Sequence, residues 1–125
     1  MNIPNELYYT KSHEWAKREA GKVRVGITDH AQHEITDVVH VELPKVGQKL
    51  KAGQPCAVVE SVKSAFDIYS PVSGTVVEVN EKLGSSPELV NSSPYQQGYF
   101  FAVEASNPDE LKNLITPADY EKLIK

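Results

Sequence analysis

The stretch VVESVKSAFDIYSPVSG, residues 58–74, sets a single lysine, Lys63, in a strand-forming run with no second positive charge around it. Apolar and β-branched residues before the lysine, and Ser70-Pro71 and Ser73-Gly74 after it, predict strands over residues 54–62 and 65–69 with Lys63 at the hairpin tip. A weak internal echo agrees: LPKVGQKLKAGQP leads into the first strand and IYSPVSGTVVEVNEKLG follows the second, so two related halves meet at the lysine. A lysine becomes a nucleophile when burial or a neighbouring cation strips its proton. The charges near Lys63 are Glu60 and Asp67, both acids, so a Schiff-base enzyme is disfavoured. What remains is a solvated surface lysine or an amine presented for covalent modification.

Outward from the hairpin the dominant period is two. KVRVGIT alternates Val23, Val25 and Ile27 against Lys22, Arg24 and Gly26, and VVHVEL sets Val39, Val41 and Leu43 opposite His40 and Glu42. Further strands are predicted over residues 75–79 and 99–105, with turns at residues 44–47, 52–53, 70–74 and 92–94. Short strands at this spacing predict a mainly β molecule, a flattened sandwich or barrel. Helices are expected at the margins. One short connector begins near Thr28 or Asp29 and carries His30 to Ile35. A C-terminal helical segment over about residues 107–125 has two capped starts: Asn107, Pro108 and Glu110, then Thr116, Pro117 and Asp119. In each, the acid is expected to reach back and complete a reciprocal cap.

The chain has 125 residues, the size of one domain, taken here as residues 1–125. Hydrophobic residues make 40% and charged residues 24%, and no apolar run is long enough to span a bilayer. A formal charge of -4 with dispersed basic residues argues against nucleic acid or an anionic membrane as partner. The start, MNIPNELYYTKSHEW, lacks the pattern of an export signal, and one cysteine excludes an internal disulfide. The expectation is a monomer in the bacterial cytoplasm, or in the mitochondrial matrix for a processed eukaryotic form.

Other constellations carry less chemistry. His30 and His33 share a helical face beside Glu34 without a third ligand, so no metal site is expected. His13 and His40 read as structural, and Cys56, in QPCAVVE, as a packing residue. No phosphate loop or Gly-x-Ser-x-Gly elbow is present. Tyr95, Tyr99, Phe100 and Phe101 read as sheet core and edge rather than a base-stacking platform.

A resemblance sharpens the reading of Lys63. Residues 59–81, VESVKSAFDIYSPVSGTVVEVNE, resemble the attachment hairpin of lipoyl carriers, specifically the glycine cleavage H-protein family, through Glu60-Ser61-Val62-Lys63, Asp67 and Tyr69 to Gly74. The similarity continues in order through YTKSHEW (9–15), VGITDHAQ (25–32), VELPKVG (41–47), NSSPY (91–95) and GYF (98–100). Biotin carriers flank their lysine with methionines, and lipoyl domains of oxoacid dehydrogenases usually place aspartate before it. Here Val62 and Ser64 flank Lys63.

The resemblance implies a barrel-sandwich hybrid of the lipoyl/biotinyl carrier type, not an enzyme, with lipoic acid in amide linkage to Lys63. It implies that this arm shuttles the aminomethyl group of glycine from a pyridoxal-phosphate glycine decarboxylase to a tetrahydrofolate-dependent aminomethyltransferase. Dihydrolipoamide dehydrogenase and a lipoate ligase or lipoyltransferase are the other implied partners. Shielding a cationic aminomethyl group calls for an acidic pocket, with Glu14 and Asp67 as candidates and Ser12 as a hydrogen-bonding auxiliary. A tip presented alike to several partners favours a rigid hairpin, with Val62 and Ala65 packing inward. Glu60 is the candidate for ligase recognition, against an ordinary cross-strand ion pair. The alternatives are a carrier that relays lipoate to other proteins and an unmodified interaction module. The sequence departs from the family at Phe66, at Tyr99 in place of a common tryptophan, at FFAVEA, and at Thr36-Asp37 in place of a more usual small or glycine-containing connection.

Overall fold

The computed structural model describes residues 2–125. Nine strands follow in order: β1 (Tyr8–Tyr9), β2 (Glu14–Glu19), β3 (Lys22–Ile27), β4 (Val38–Glu42), β5 (Lys49–Leu50), β6 (Pro55–Ser61), β7 (Ala65–Tyr69), β8 (Gly74–Val79) and β9 (Phe101–Ala105). They form a six-stranded sheet, β1-β2-β3-β9-β8-β5, and a three-stranded sheet, β4-β6-β7, with every pairing antiparallel. Between them lie Val23, Val25 and Ile27 of β3, Val41 of β4, Ala57 and Val59 of β6, Ile68 of β7, Val76 of β8, and Phe101 and Val103 of β9, all buried in one cluster. Alternation in β3 and β6 puts every second side chain into this layer, and removing that apolar surface from water drives the sheets together. The result is the predicted flattened sandwich.

Two local pairings set the sheet geometry. Trp15 lies opposite Gly26, and a Cβ on Gly26 would stand 2.7 Å from the indole ring, so the missing side chain makes room for the tryptophan. The indole N–H then donates to the Pro94 carbonyl at 3.0 Å. In β4 the alternation fails: the register shifts between Val38 and His40, burying Val38 and Val41 and leaving Val39 52% exposed. The expectation that Val39 shares a face with Val41 is corrected by this bulge, which turns one residue out of phase.

The connector helix α1 (Asp29–Ile35) begins where the sequence predicts, and its N-cap Thr28 accepts a hydrogen bond from the Ala31 N–H. Two helices were not foreseen, α2 (Lys82–Ser85) and α3 (Leu89–Ser92), each a single turn that buries one residue, Leu83 and Val90. From α3, Asn91 donates its side-chain N–H to the Thr36 carbonyl and its side-chain oxygen accepts from the Val38 N–H, pinning the loop from α1 to β4. The C-terminal segment forms a 3-10 helix (Pro108–Asn113) and helix α4 (Pro117–Leu123), capped by Asn107 and Thr116. Glu110 does not complete a reciprocal cap. Its carboxylate accepts from the Ser73 N–H and hydroxyl and ties the tail to the β7–β8 turn. Tyr120 of α4 stacks on Tyr9 at 4.6 Å, closing a second small core with Leu7 and Trp15.

At one end of the six-stranded sheet, Glu78 gathers Lys22 at 2.6 Å, Arg24 at 3.7 Å and the Tyr99 hydroxyl. Arg24 also lies over the Tyr99 ring at 4.5 Å. The Tyr99 hydroxyl is thus used inside an ion network. No helix is long and apolar enough to cross a membrane among the described residues.

Candidate functional site

Lys63 stands at the tip of the β6–β7 hairpin, in the four-residue turn Ser61–Ser64. Ser61 organises that turn. Its N–H donates to the Ser64 carbonyl at 2.8 Å, and its hydroxyl accepts from the N–H groups of Lys63 and Ser64 at 3.2 and 3.3 Å. The Val62 N–H donates to the Asp37 carbonyl at 3.1 Å, which fastens the tip to the loop after α1. Rigidity therefore comes from backbone hydrogen bonds and one buried hydroxyl. The expected inward packing of Val62 and Ala65 is corrected: Val62 is 67% exposed and Ala65 is exposed too. Turn residues at a solvent-facing tip have no core to pack into, so hydrogen bonds have to hold them.

The Lys63 ammonium is exposed and donates to the Glu34 carbonyl, in the last turn of α1, at 3.3 Å. That contact points it toward a cleft of about 380 Å³ between α1 and the inner face of β7. Ile27, Ala31, Ile35, Val59, Phe66 and Ile68 give its apolar wall, and Ser12, His13, His30, Glu34 and Asp67 its polar rim. Phe66 pairs with Val59 and is 39% exposed, which places its ring at the mouth. Asp67 borders the cleft on edge strand β7, and it also borders a shallower depression of about 300 Å³ beside its cross-strand partner Val58.

Of the predicted pocket residues, Ser12 and Asp67 meet at this cleft and Glu14 does not. Glu14 is 1% exposed at the start of β2, beneath the cleft. One carboxylate oxygen accepts from the hydroxyls of Thr10 and Ser12 at 2.5 Å each, and the other from the Tyr69 N–H at 3.2 Å. A buried carboxylate needs such donors. Here they make Glu14 a strut joining β2 to the free edge of β7. Among the described residues Glu60 forms no cross-strand ion pair; it faces His40 across the β4–β6 pairing.

Residues that sequence reasoning passed over also line the cleft. His13 is not isolated: its ring lies 4.8 Å from that of His30, and its Nδ1 pairs with the Tyr120 hydroxyl at 2.8 Å. Burial pushes its pKa below the ordinary histidine value, with the neighbouring His30 acting in the same sense and Glu34 against both. His30 in turn sits 3.8 Å from Glu34. The i, i+4 spacing of His30 and Glu34 was the available signal, since it puts both on one face of α1. Cys56 is half-buried, donates its S–H to the Ile68 carbonyl, and is pushed up to about 12, chiefly by burial. It packs, as expected.

A two-sheet β-sandwich that holds one exposed lysine on a hydrogen-bonded hairpin, beside a cleft, defines a carrier domain of the lipoyl/biotinyl type. The comparisons with known proteins single out one family within that class. The model of the family described as glycine cleavage H-protein matches residues 7–125, and the chain belongs to that family. It is 57% identical to the glycine cleavage system H protein of Endomicrobium trichonymphae, over 99% of this chain and all of that protein. It is 52% identical to the one from Bacillus licheniformis, over 100% and 98%. The crystal structure of the H protein from Mycobacterium marinum superposes with a TM-score of 0.88 at 36% identity, covering 96% of this chain and 97% of that one. The chain is therefore the carrier component of a glycine cleavage system.

Proposed function

We propose that Lys63 carries lipoate in amide linkage and that the cleft beside it shelters the loaded arm. The observation that carries this reading is the place of the lysine amine: on a hydrogen-bonded tip, in contact with Glu34 at the edge of the apolar cleft. A chain extended from that nitrogen has the wall of Ala31, Ile35, Val59 and Phe66 to lie on, which is the fit a medium-length alkyl arm requires. The lipoyl group, when bound, supplies a dithiolane that takes up and gives back the aminomethyl unit of glycine.

The chain's own residues would then do three things. Ser61 and Asp37 orient the amine for modification. The apolar wall keeps water from the arm, and Asp67 and Glu34 supply negative charge for the aminomethyl cation. Ser12 is a hydrogen-bonding group held in place by Glu14, which makes Glu14 a positioning residue. The partners in this reading are the pyridoxal-phosphate decarboxylase, the tetrahydrofolate-dependent aminomethyltransferase, dihydrolipoamide dehydrogenase and a lipoate-attaching enzyme, met in the cytoplasm. Glu60, three residues before Lys63, is the recognition residue for the last of these.

The test is the intact and peptide mass of the protein made with a lipoate ligase and supplied lipoate, with Lys63→Arg as control. The expected result is one lipoyl increment on the peptide containing Lys63, absent from the variant, and glycine-dependent loading by the decarboxylase. A bare Lys63, under conditions that modify a known acceptor, overturns the proposal.

A further inference from the structure

On the outer face of the three-stranded sheet, away from the cleft, His40, Glu42 and Glu60 bring one ligand atom each to within 4.8 Å of the others. The sheet builds this arrangement. His40 and Glu42 are two residues apart on β4, hence on one face, and Glu60 is the registered partner of His40 on β6. Among the described residues, none of the three side chains has a hydrogen bond or ion pair that would satisfy it otherwise. Two carboxylates thus stand beside an imidazole with no cation of the protein paired to them, an arrangement a bound cation would complete.

We propose that this triad binds a divalent ion of the zinc class, one imidazole nitrogen and two carboxylate oxygens taking three positions and water the rest. Nitrogen-oxygen donor sets of this kind suit Zn²⁺, whose ligand distances of about 2.0–2.2 Å require the three atoms to draw closer together than they stand here. His40 and Glu42 are exposed and Glu60 is partly exposed, so these side chains have room to turn toward an ion. Magnesium and calcium, which prefer all-oxygen shells, are the poorer match. A bound ion would cancel the two carboxylate charges on the stem of the hairpin that presents Lys63, and the inference stands whether or not that lysine is modified.

The experiment is calorimetric titration of the full chain with Zn²⁺ alone, repeated with His40→Ala, Glu60→Gln and, as control, His33→Ala. His33 is an exposed histidine outside the triad. Saturable binding of one ion, weakened on the order of tenfold or more by either triad substitution and untouched by the control, is the expected result. Absence of saturable binding overturns the proposal. Equal weakening in the His33 variant, or none in the triad variants, overturns it as well. Because none of the substituted residues belongs to the buried core, circular dichroism of each variant is expected to match the parent.

Discussion

Thr36 adopts φ 65 and ψ -150, a region where a β-branched side chain collides with its own backbone and glycine does not. The position closes α1 and turns the chain toward Asp37, whose carbonyl holds the lysine-bearing tip. Glycine, with no Cβ, would adopt this conformation without strain. Thr36→Gly is expected to stabilise the protein by about 1 kcal/mol, since relief of strain outweighs the added freedom of the unfolded chain. Urea denaturation of the unmodified protein checks it, and an unchanged or lower midpoint would refute the strain assignment. Glu14 gives the opposite case. Glu14→Ala leaves two hydroxyls and the Tyr69 N–H short of an acceptor at a buried joint, at a cost of about 1–3 kcal/mol or more. The loss should appear in protein that carries no lipoate, as a strut requires and a group serving only the arm does not.

At the scale of elements, the hairpin and β2–β3 pairing rest on single atoms. Removing the Ser61 hydroxyl in Ser61→Ala takes the acceptor from two N–H groups at the tip while leaving the strands paired. Amide hydrogen exchange at residues 63 and 64 should accelerate roughly fivefold, the factor for one ordinary hydrogen bond of about 1 kcal/mol, with little change inside β6. Gly26→Ala drives a methyl group into the Trp15 ring and should cost about 1–3 kcal/mol, read as a lower thermal midpoint with altered tryptophan fluorescence. Strand β3 was legible because apolar and polar residues alternate along it, and β6, β7 and β8 because short apolar, β-branched and aromatic runs lie between turn residues. The bulge at Val39 was not, because a register shift depends on the partner strand and leaves no local mark. Helices α2 and α3 escaped for another reason: one turn buries one side chain, so there is no period to see. In the site, the isolation of Lys63 from other cations left two readings open and the resemblance chose between them, while Ser12 and Asp67 were named from the need to pair a cationic arm and do border the cleft. Glu14 was misplaced because acidity in a motif says nothing about which side of a strand is covered by the next one.

For the whole molecule, three displaced pKa values share one sign. Burial holds His13 below the ordinary histidine value of 6.5, so between that value and its folded pKa the unfolded chain binds the proton more readily. Stability must then fall as pH drops below 6.5. Glu78 is depressed first by the hydrogen bond from Lys22 and then by that from Tyr99, giving stability that is present above 4.5 and lost below it. Burial opposes the shift at Asp29, yet hydrogen bonds from the Asn2 N–H and the Gln32 side chain lower it, so its contribution disappears below 3.8. Each group joins distant parts of the chain: His13 meets Tyr120 of the C-terminal helix, Glu78 ties β8 to β3, and Asp29 holds Asn2 at the chain start. Acid should therefore loosen both terminal segments and one end of the large sheet. The thermal midpoint of the parent is expected to decline in two stages, one beginning near pH 6.5 and one below 4.5. His13→Asn should flatten only the first stage, because asparagine tolerates the left-handed backbone at φ 71 and carries no titrating proton. A first stage that survives in the variant would move its origin away from His13.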